Sequence, residues 1–243
     1  MKILPSHRLH IWKSTRHISV MTVAIGIVAI LLVWVTVMVQ ADLSQMLVGL
    51  LLSFWRVVVA YGISLGLAVV VGLVVTRNAK IEAAFLPVLD VLQSFPNFAI
   101  LPVIVMVFGA GSAAVITVLV ITMVWPIMFG IIGGAKTMRS DLAEAATVFG
   151  AIGFKRVRAF LLPAIFPSVV TGSIIGWGEG WEAVVGAEII AGSSGIGSYI
   201  NAVTNAGEIR SLVLTLTILM FLIFVINNWV WLRLLRRTVQ WGE

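Results

Sequence analysis

The side chains that most often carry catalysis or bind metals are scarce in this sequence, and they do not converge. The chain has no cysteine, which excludes thiol catalysis, disulfides and thiolate metal sites. Its three histidines, His7, His10 and His17, lie in one basic segment at irregular spacing with no carboxylate between them. That pattern disfavours a metal site. We therefore expect neither a metal nor a catalytic residue in this chain.

Residues 133–137 are the segment most similar to a nucleotide-binding loop. They read Gly-Gly-Ala-Lys-Thr and lack the adjacent Gly-Lys pair of a phosphate loop. The segment also ends a long apolar stretch, where a helix rather than a phosphate-binding loop is expected. We predict that the chain holds no nucleotide and no other cofactor.

Two groups of polar residues remain as candidates for chemistry, and both lie between or within apolar stretches. Ionisable groups at membrane depth are candidates for function, and the acidic group consists of Glu179, Glu182 and Glu188. Ion pairing with Arg56 or Arg210, docking of a partner protein, and gating are all open for them. The uncharged group can line a pathway or form hydrogen bonds between helices, and it consists of Gln93, Ser94, Asn97 and Ser112.

The composition places all these residues in a membrane protein. The chain has 243 residues, of which 60% are hydrophobic and 11% are charged, whereas a soluble domain carries about 25% charged residues. Because so few charged residues cannot cover the surface of a water-soluble particle of this size, we expect most of the exterior to face lipid. The net charge of +6 is better explained by basic residues at the ends of membrane spans than by binding to nucleic acid.

Six apolar stretches are long enough to cross the bilayer, which takes about 20 helical residues. They lie at residues 18–39, 57–75, two within 91–135, 159–178 and 211–232. The first follows a basic leader at residues 1–17 and exceeds the apolar core of about 7–15 residues in a signal peptide, so we predict a retained helix. The chain is thus predicted to be all-α, with a single transmembrane domain at residues 18–243.

Breaks in the stretch at residues 91–135 predict a helical hairpin. The turn-rich residues 109–112 divide it into two helices. Pro87, Pro96 and Pro102 precede or interrupt the first of these, so we expect a kink or a separate short helix there.

The distribution of Lys and Arg predicts the orientation. Cytoplasmic flanks of membrane spans carry an excess of these residues. With a cytoplasmic amino terminus, all sixteen Lys and Arg residues except Arg56 and Arg210 fall on the cytoplasmic side. Both termini of a six-helix chain are then cytoplasmic.

One predicted cytoplasmic connection, residues 136–163, is much longer than the others. Asp141 can cap a helix, with Glu144 three residues later as in a capping box, and Gly150 can end that helix. The helix has a small apolar face, formed by Leu142, Ala145, Ala146 and Phe149. Basic residues follow it, namely Lys155, Arg156 and Arg158. Such a helix can dock into a groove on another protein or lie on anionic lipid.

The order of residues in this connection resembles the loop E-A-A-x3-G-x9-I-x-L-P of ABC-importer permeases. Residues 144–146, 150 and 162–163 match it in type and spacing, and Phe160 replaces the isoleucine. The resemblance extends from about residue 53 to 241. Within this family the chain resembles the nitrate, sulfonate, taurine and bicarbonate branch. The supporting segments are residues 53–57, 92–96, 100–102, 108–109, 186–188, 195–197 and 236–241.

The resemblance implies the fold and the partners. It implies a type I ABC-importer permease in the cytoplasmic (inner) membrane, which conducts a small anion delivered by an extracytoplasmic substrate-binding protein. Residues 141–163 would be the coupling loop to separate ATPase subunits, which bind ATP and Mg. A second permease copy would complete the path, as a homodimer. Three carboxylates would repel an anion, which favours pairing or docking over gating for Glu179, Glu182 and Glu188.

The main alternative is a half-size secondary transporter driven by an ion gradient. That class predicts a carboxylate at mid-depth on a membrane helix, and the central parts of the predicted spans carry none. A membrane-bound enzyme is disfavoured because no nucleophile, metal ligands or acid-base pair converge.

Overall fold

The computed structural model describes residues 25–28, 30–35, 42–137, 150, 153, 155 and 157–239, with the backbone alone at 237–239. Regular structure in these residues is helical throughout. The labelled helices are α1 (Leu43–Val75), α2 (Ala79–Gln93), α3 (Asn97–Phe108), α4 (Ser112–Lys136), α5 (Leu162–Ile190), α6 (Ile196–Asn205), α7 (Ile209–Ile226) and α8 (Leu232–Val239). One π-helical turn, Val157–Leu161, leads into α5, and another, Asn227–Trp231, joins α7 to α8.

Four helical stretches are long and apolar enough to cross a membrane. They are Leu43–Val75, Ser112–Lys136, Val157–Ile190 and Ile209–Arg236. The short helices α2 and α3 meet at a bend of 84° and together make a fifth candidate span. The all-α prediction is confirmed, and the described residues hold four or five of the six predicted spans. Of the predicted first span, the structure describes residues 25–28 and 30–35, which are helical.

Two spans are longer than the apolar runs predicted. Helix α1 begins at Leu43, well before residue 57, and α5 continues beyond residue 178 to Ile190. The predicted boundaries were wrong because a charge does not end either span. Arg56 is buried inside the protein and leaves α1 uninterrupted. Glu179 and Glu182 likewise lie within the long helix α5.

The amino-terminal end of α1 has a side-chain cap. The Asp42 carboxylate accepts hydrogen bonds of 3.1 Å from the backbone N–H groups of both Ser44 and Gln45. Such a cap satisfies donors that the first turn leaves unpaired. The hydrogen bond from Gln45 lowers the pKa of the Asp42 carboxyl below its ordinary value.

The predicted hairpin is present, and its break lies where expected. Helix α3 ends at Phe108 and α4 begins at Ser112. Gly109 and Gly111 between them have φ values of +77° and +134°, which residues with side chains rarely adopt. Of the three prolines, Pro96 lies at the bend before α3, whereas the other two lie inside α2 and α3.

Helix α4 is the centre of the bundle, packed between α1 and α5. In its most apolar segment 61% of residues are buried, against at most 28% in the other three long stretches. The backbones of α4 and α5 touch. A Cβ atom built at Gly130 would lie 2.5 Å from the Ser168 carbonyl oxygen, and one at Gly172 would lie 2.5 Å from that of Pro126. Small residues allow such close helix packing in membranes.

An aromatic cluster fills the space between α1, α5 and the π-helical turn after α7. The rings of Tyr61, Trp177 and Trp231 meet edge to face, with centroids 5.5 to 5.9 Å apart. Trp231 lies in the π-helical turn and is buried against Tyr61 and Trp177, so it belongs to the core of the bundle.

We predict that Gly172→Val destabilises the protein, because its side chain would collide with the backbone of Pro126 and Ile127. Overpacking of this kind costs about 1–3 kcal/mol. The matched control is Gly62→Ala on α1, where nothing lies within 4 Å of the position that a Cβ atom would take. Tryptophan fluorescence during heating in detergent measures both. Equal unfolding midpoints for the two variants would contradict the tight α4–α5 contact.

Candidate functional site

A buried ion pair joins α1 to the far end of α5. Nη1 of Arg56 lies 2.6 Å from Oε1 of Glu188, and the side chains are 4% and 0% exposed. Removing two charges from water costs several kcal/mol per ion unless further hydrogen bonds satisfy them. The surrounding contacts are therefore as important as the pair itself.

The Glu188 carboxylate is satisfied by three elements. The Ser53 hydroxyl on α1 lies 2.7 and 2.9 Å from its two oxygens, and the backbone N–H of Gly197 donates to Oε2 at 2.9 Å. The Ser53 oxygen in turn accepts the backbone N–H of Ile196 at 2.9 Å. Both backbone donors belong to the first turn of α6, which favours negative charge.

The Arg56 guanidinium is held from the opposite side. Its Nε and Nη2 donate to the Ser112 hydroxyl at the start of α4, at 3.2 and 2.9 Å. Nη1 also donates to the carbonyl oxygen of Ser194. The pair therefore joins α1, α4, α5 and α6 at one end of the bundle, and we call these residues the charge clamp: Ser53, Arg56, Ser112, Glu188, Ser194 and Gly197.

Glycines allow the chain to approach the clamp. A Cβ atom at Gly195 would collide with the Glu188 carboxylate, and one at Gly197 would collide with the Val185 carbonyl oxygen. At Gly49 it would lie 3.0 Å from the backbone of Gly195. The segment 195–197 is therefore glycine-rich because α6 must begin directly over a carboxylate.

A second feature is a cavity of about 550 Å³ between α2, α4 and α5. Two of its lining residues are acidic, Asp90 on α2 and Glu179 on α5. Glycines and small polar side chains make most of the remainder; the other lining residues are Gln93, Pro126, Phe129, Gly130, Gly133, Gly134, Thr137, Ser168, Thr171, Gly172 and Ile175. At the end of α4, Nζ of Lys136 lies 2.7 Å from Oε1 of Glu82.

The structure separates the three glutamates that the sequence grouped. Glu188 is buried and pairs with Arg56, whereas Glu179 and Glu182 are both exposed and only Glu179 of these two borders the cavity. Arg210 is exposed and forms no ion pair within the described residues. The helical spacing along α5 accounts for the position of Glu188, since Glu179 and Glu182 are three residues apart on one face of the helix and Glu188, nine residues after Glu179, lies on the opposite face.

The uncharged polar residues are also divided. Gln93 borders the cavity, whereas Ser112 belongs to the charge clamp. The Ser94 hydroxyl donates to the Asp90 carbonyl oxygen at 2.8 Å, and the buried Oδ1 of Asn97 has no hydrogen-bond partner among the described residues.

Most of the predicted coupling loop lies outside the described residues. This applies to Asp141, Glu144, Ala145, Ala146, Phe149 and Arg156. Gly150 is described and has a φ of +66°, a left-handed conformation that glycine readily adopts at the end of a helix. Lys155 is exposed.

Sequence reasoning missed the clamp as a unit and missed Asp90. Three of the segments that support the family resemblance, residues 53–57, 186–188 and 195–197, meet at the clamp. The joint presence of these three segments was the sequence signal that could have indicated the clamp. No sequence signal pointed to Asp90, because a single carboxylate in an amphipathic helix usually faces water.

Known proteins of similar sequence identify the family of this chain. The profile of the family described as binding-protein-dependent transport system inner membrane component matches residues 64–240. The chain belongs to this family. It is therefore a multi-pass protein of the cytoplasmic membrane, and its similarity to ABC-importer permeases, predicted from the loop pattern, is confirmed.

Individual relatives are named as permeases for small anions and a sulfonate. The chain is 30% identical over 164 residues to the nitrate import permease protein NrtB of Leptolyngbya laminosa, covering 68% of this chain and 59% of the relative. It is 27% identical to the taurine transport system permease protein TauC of Escherichia coli, covering 64% and 56%. For the bicarbonate transport system permease protein CmpB of Synechococcus elongatus the identity is 31%, covering 61% and 54%. The matched region thus spans less than two thirds of each of these relatives.

We predict that removing one charge of the clamp lowers the stability of the folded protein much more than removing both charges together. Arg56→Met or Glu188→Met leaves one buried charge unpaired, which costs about 3–5 kcal/mol. The double variant, with two apolar side chains of similar length, should recover most of that loss. Unfolding midpoints in detergent, combined as a double-mutant cycle, measure the coupling.

The control for this cycle is the pair Glu82 and Lys136, where the lysine side chain is 53% exposed. Exposed pairs contribute about 0–1 kcal/mol, so Glu82→Gln should shift the midpoint little. Additive effects of Arg56→Met and Glu188→Met would show that the clamp is not a coupled unit.

Proposed function

We propose that this permease is the membrane-spanning subunit of an ATP-driven ABC importer. The observation that carries the proposal is the family match over residues 64–240 combined with the E-A-A-x3-G pattern at residues 144–150. The subunit itself hydrolyses nothing. Separate ABC ATPase subunits bind ATP and Mg, and an extracytoplasmic substrate-binding protein delivers the cargo.

The proposed topology has six membrane helices with both termini in the cytoplasm. Four long helical stretches and the bent pair α2–α3 supply five spans, and the apolar stretch at residues 18–39 supplies the sixth. This arrangement puts the loop after α4 on the cytoplasmic side and the charge clamp on the outer side. The positive-inside distribution of Lys and Arg supports it.

The coupling loop at residues 141–163 connects the two helices that pack most closely. Helix α4 ends at Lys136, and the helical stretch leading into α5 begins at Val157. Because their backbones touch at Gly130 and Gly172, α4 and α5 move as one body when the loop is displaced. A docked ATPase can thereby turn its own closure into a rigid-body movement of the membrane helices.

The names of the relatives support a proposal for the cargo class. Nitrate, taurine and bicarbonate appear in the names of the three permeases compared above. We therefore propose a small oxyanion or organosulfonate as cargo, conducted between two copies of the permease. Six helices make a thin wall around a path, and a second copy encloses it.

The first test is purification of the tagged full chain from its native membrane in mild detergent, followed by mass spectrometry of bound proteins. We expect an ABC ATPase in equal ratio with the permease. A chain that elutes alone, and that no ATPase joins on reconstitution, would contradict the proposal and favour a gradient-driven carrier.

We predict that Glu144→Arg and Gly150→Trp each abolish ATPase copurification while the permease stays in the membrane. The first reverses a charge in the docking helix, and the second places a bulky side chain where φ is +66°. Glu208→Arg, a charge reversal at an exposed residue before α7, is the matched control and should retain the ATPase. Normal copurification and transport by either loop variant would refute the coupling assignment.

A further inference from the structure

The last membrane span is the one most exposed to lipid. Of the four long helical stretches, Ile209–Arg236 has the smallest buried share in its most apolar segment. On α7 the residues Val213, Leu216, Met220 and Phe224 expose their side chains, and they recur every three or four positions, so they share one side of the helix. We call these four residues the lipid-facing stripe. Acyl chains of any lipid can cover such a surface, so selectivity has to come from what lies at its end.

The π-helical turn Asn227–Trp231 sets the side of the helix on which the next residues emerge. A single π-helical turn inserts about one extra residue into an α-helix, so the twelve residues from Phe224 to Arg236 correspond to about eleven α-helical steps. Eleven steps make about three complete turns, which places Arg236 in line with Phe224. Arg236 is exposed, whereas Leu234 and Leu235 pack against the core. The lipid-facing stripe therefore ends on an arginine, about 17 Å from Phe224.

A second arginine is held at the same end of the span by an aromatic ring. The guanidinium carbon of Arg233 lies 4.8 Å from the centre of the Trp229 ring, and both side chains are exposed. Stacking on a ring occupies one face of the guanidinium and leaves its N–H donors free at the edge. Within the described residues neither Arg233 nor Arg236 forms an ion pair, and the sequence has no acidic residue between Glu208 and Glu243.

We propose that Trp229, Arg233 and Arg236 form a binding site for the phosphate group of an anionic phospholipid, whose acyl chains lie along the lipid-facing stripe. Arg233 and Arg236 are three residues apart in α8, so their side chains are neighbours on the helix surface. Guanidinium groups bind phosphate oxygens through pairs of N–H donors, and basic residues beside a membrane span attract anionic headgroups. The inference requires only that the chain lies in a membrane, and it does not depend on the proposed transport function.

Both the charge and the length of this surface favour a lipid over a soluble phosphate or a protein. The distance of about 17 Å between Phe224 and Arg236 is close to half of the hydrocarbon core, which is about 30 Å thick. A lipid whose phosphate lies at Arg236 therefore extends its chains to the middle of the bilayer beside Phe224. A soluble phosphate has no group that contacts the stripe, and a protein in water cannot reach it.

Quenching of tryptophan fluorescence by brominated lipids measures this site in a bilayer. The full chain is reconstituted in vesicles of phosphatidylcholine and phosphatidylglycerol, and bromine is placed on the acyl chains of one lipid or the other. The Trp229→Phe variant keeps an aromatic ring but not the indole, so the native signal minus the signal of this variant reports the lipid beside Trp229. From the dependence on lipid fraction we expect phosphatidylglycerol to bind about tenfold more tightly than phosphatidylcholine.

Variants of the two arginines separate a binding site from a general attraction of positive charge. Each variant is paired with its own Trp229→Phe counterpart. Arg233→Gln and Arg236→Gln should each lower the preference for phosphatidylglycerol about threefold or more. Arg233→Lys keeps the charge but loses the planar guanidinium, and it should lower the preference about twofold. Arg210→Gln is the matched control and should leave the preference unchanged, because Arg210 is an exposed arginine at the opposite end of the same span.

Three results would overturn the proposal. The first is a native chain with no preference for phosphatidylglycerol, and the second is a preference that both glutamine variants retain. The third is an equal preference in Arg233→Lys and the native chain, because charge alone would then account for the binding. If the glutamine variants kept the lipid preference and lost the copurified ATPase, the two arginines would belong to a protein interface instead. The vesicles contain no ATPase, so this test and the assembly test above fail independently.

Discussion

One end of this helical bundle depends on one constraint, which is that two opposite charges are buried where water does not reach. A guanidinium and a carboxylate in such surroundings each need several hydrogen bonds, and the chain must bring those groups together from distant segments. Arg56 donates hydrogen bonds to a hydroxyl at the start of α4 and to the carbonyl oxygen of residue 194. Glu188 accepts hydrogen bonds from Ser53 and from the first turn of α6. Four helices are thereby fixed relative to one another at one point.

The opposite half of the bundle is held by contact of another kind. There α4 and α5 approach until backbone meets backbone, with glycines on both helices and no charge involved. Contact of this kind leaves no free space between the two helices, and a densely packed interior transmits a displacement and does not absorb it. The charge clamp at one end and the close helix contact toward the other together fix α4 and α5 relative to each other.

The sequence predicted the helices well and their ends less well. Apolar runs and the glycines at residues 109–111 located the hairpin, since local backbone conformation and hydropathy are properties of short segments. The extents of α1 and α5 were not predictable in the same way. Whether Arg56 meets lipid, water or Glu188 depends on a residue 132 positions away. The cavity is a further case, because Asp90 and Glu179 come from different helices and share no sequence pattern.

The separation between the two charges also bears on how the chain is made. A ribosome that adds about 5–20 residues per second reaches Glu188 roughly 10 s after Arg56. During that interval the native partner of the arginine has not been made, and an unpaired arginine is costly in the hydrocarbon region of a membrane. The contact between Arg56 and Glu188 can therefore form only after the 132 residues that follow Arg56, up to Glu188, have been synthesised. The burial of Arg56 within the bundle is thus completed only after most of the chain has been made.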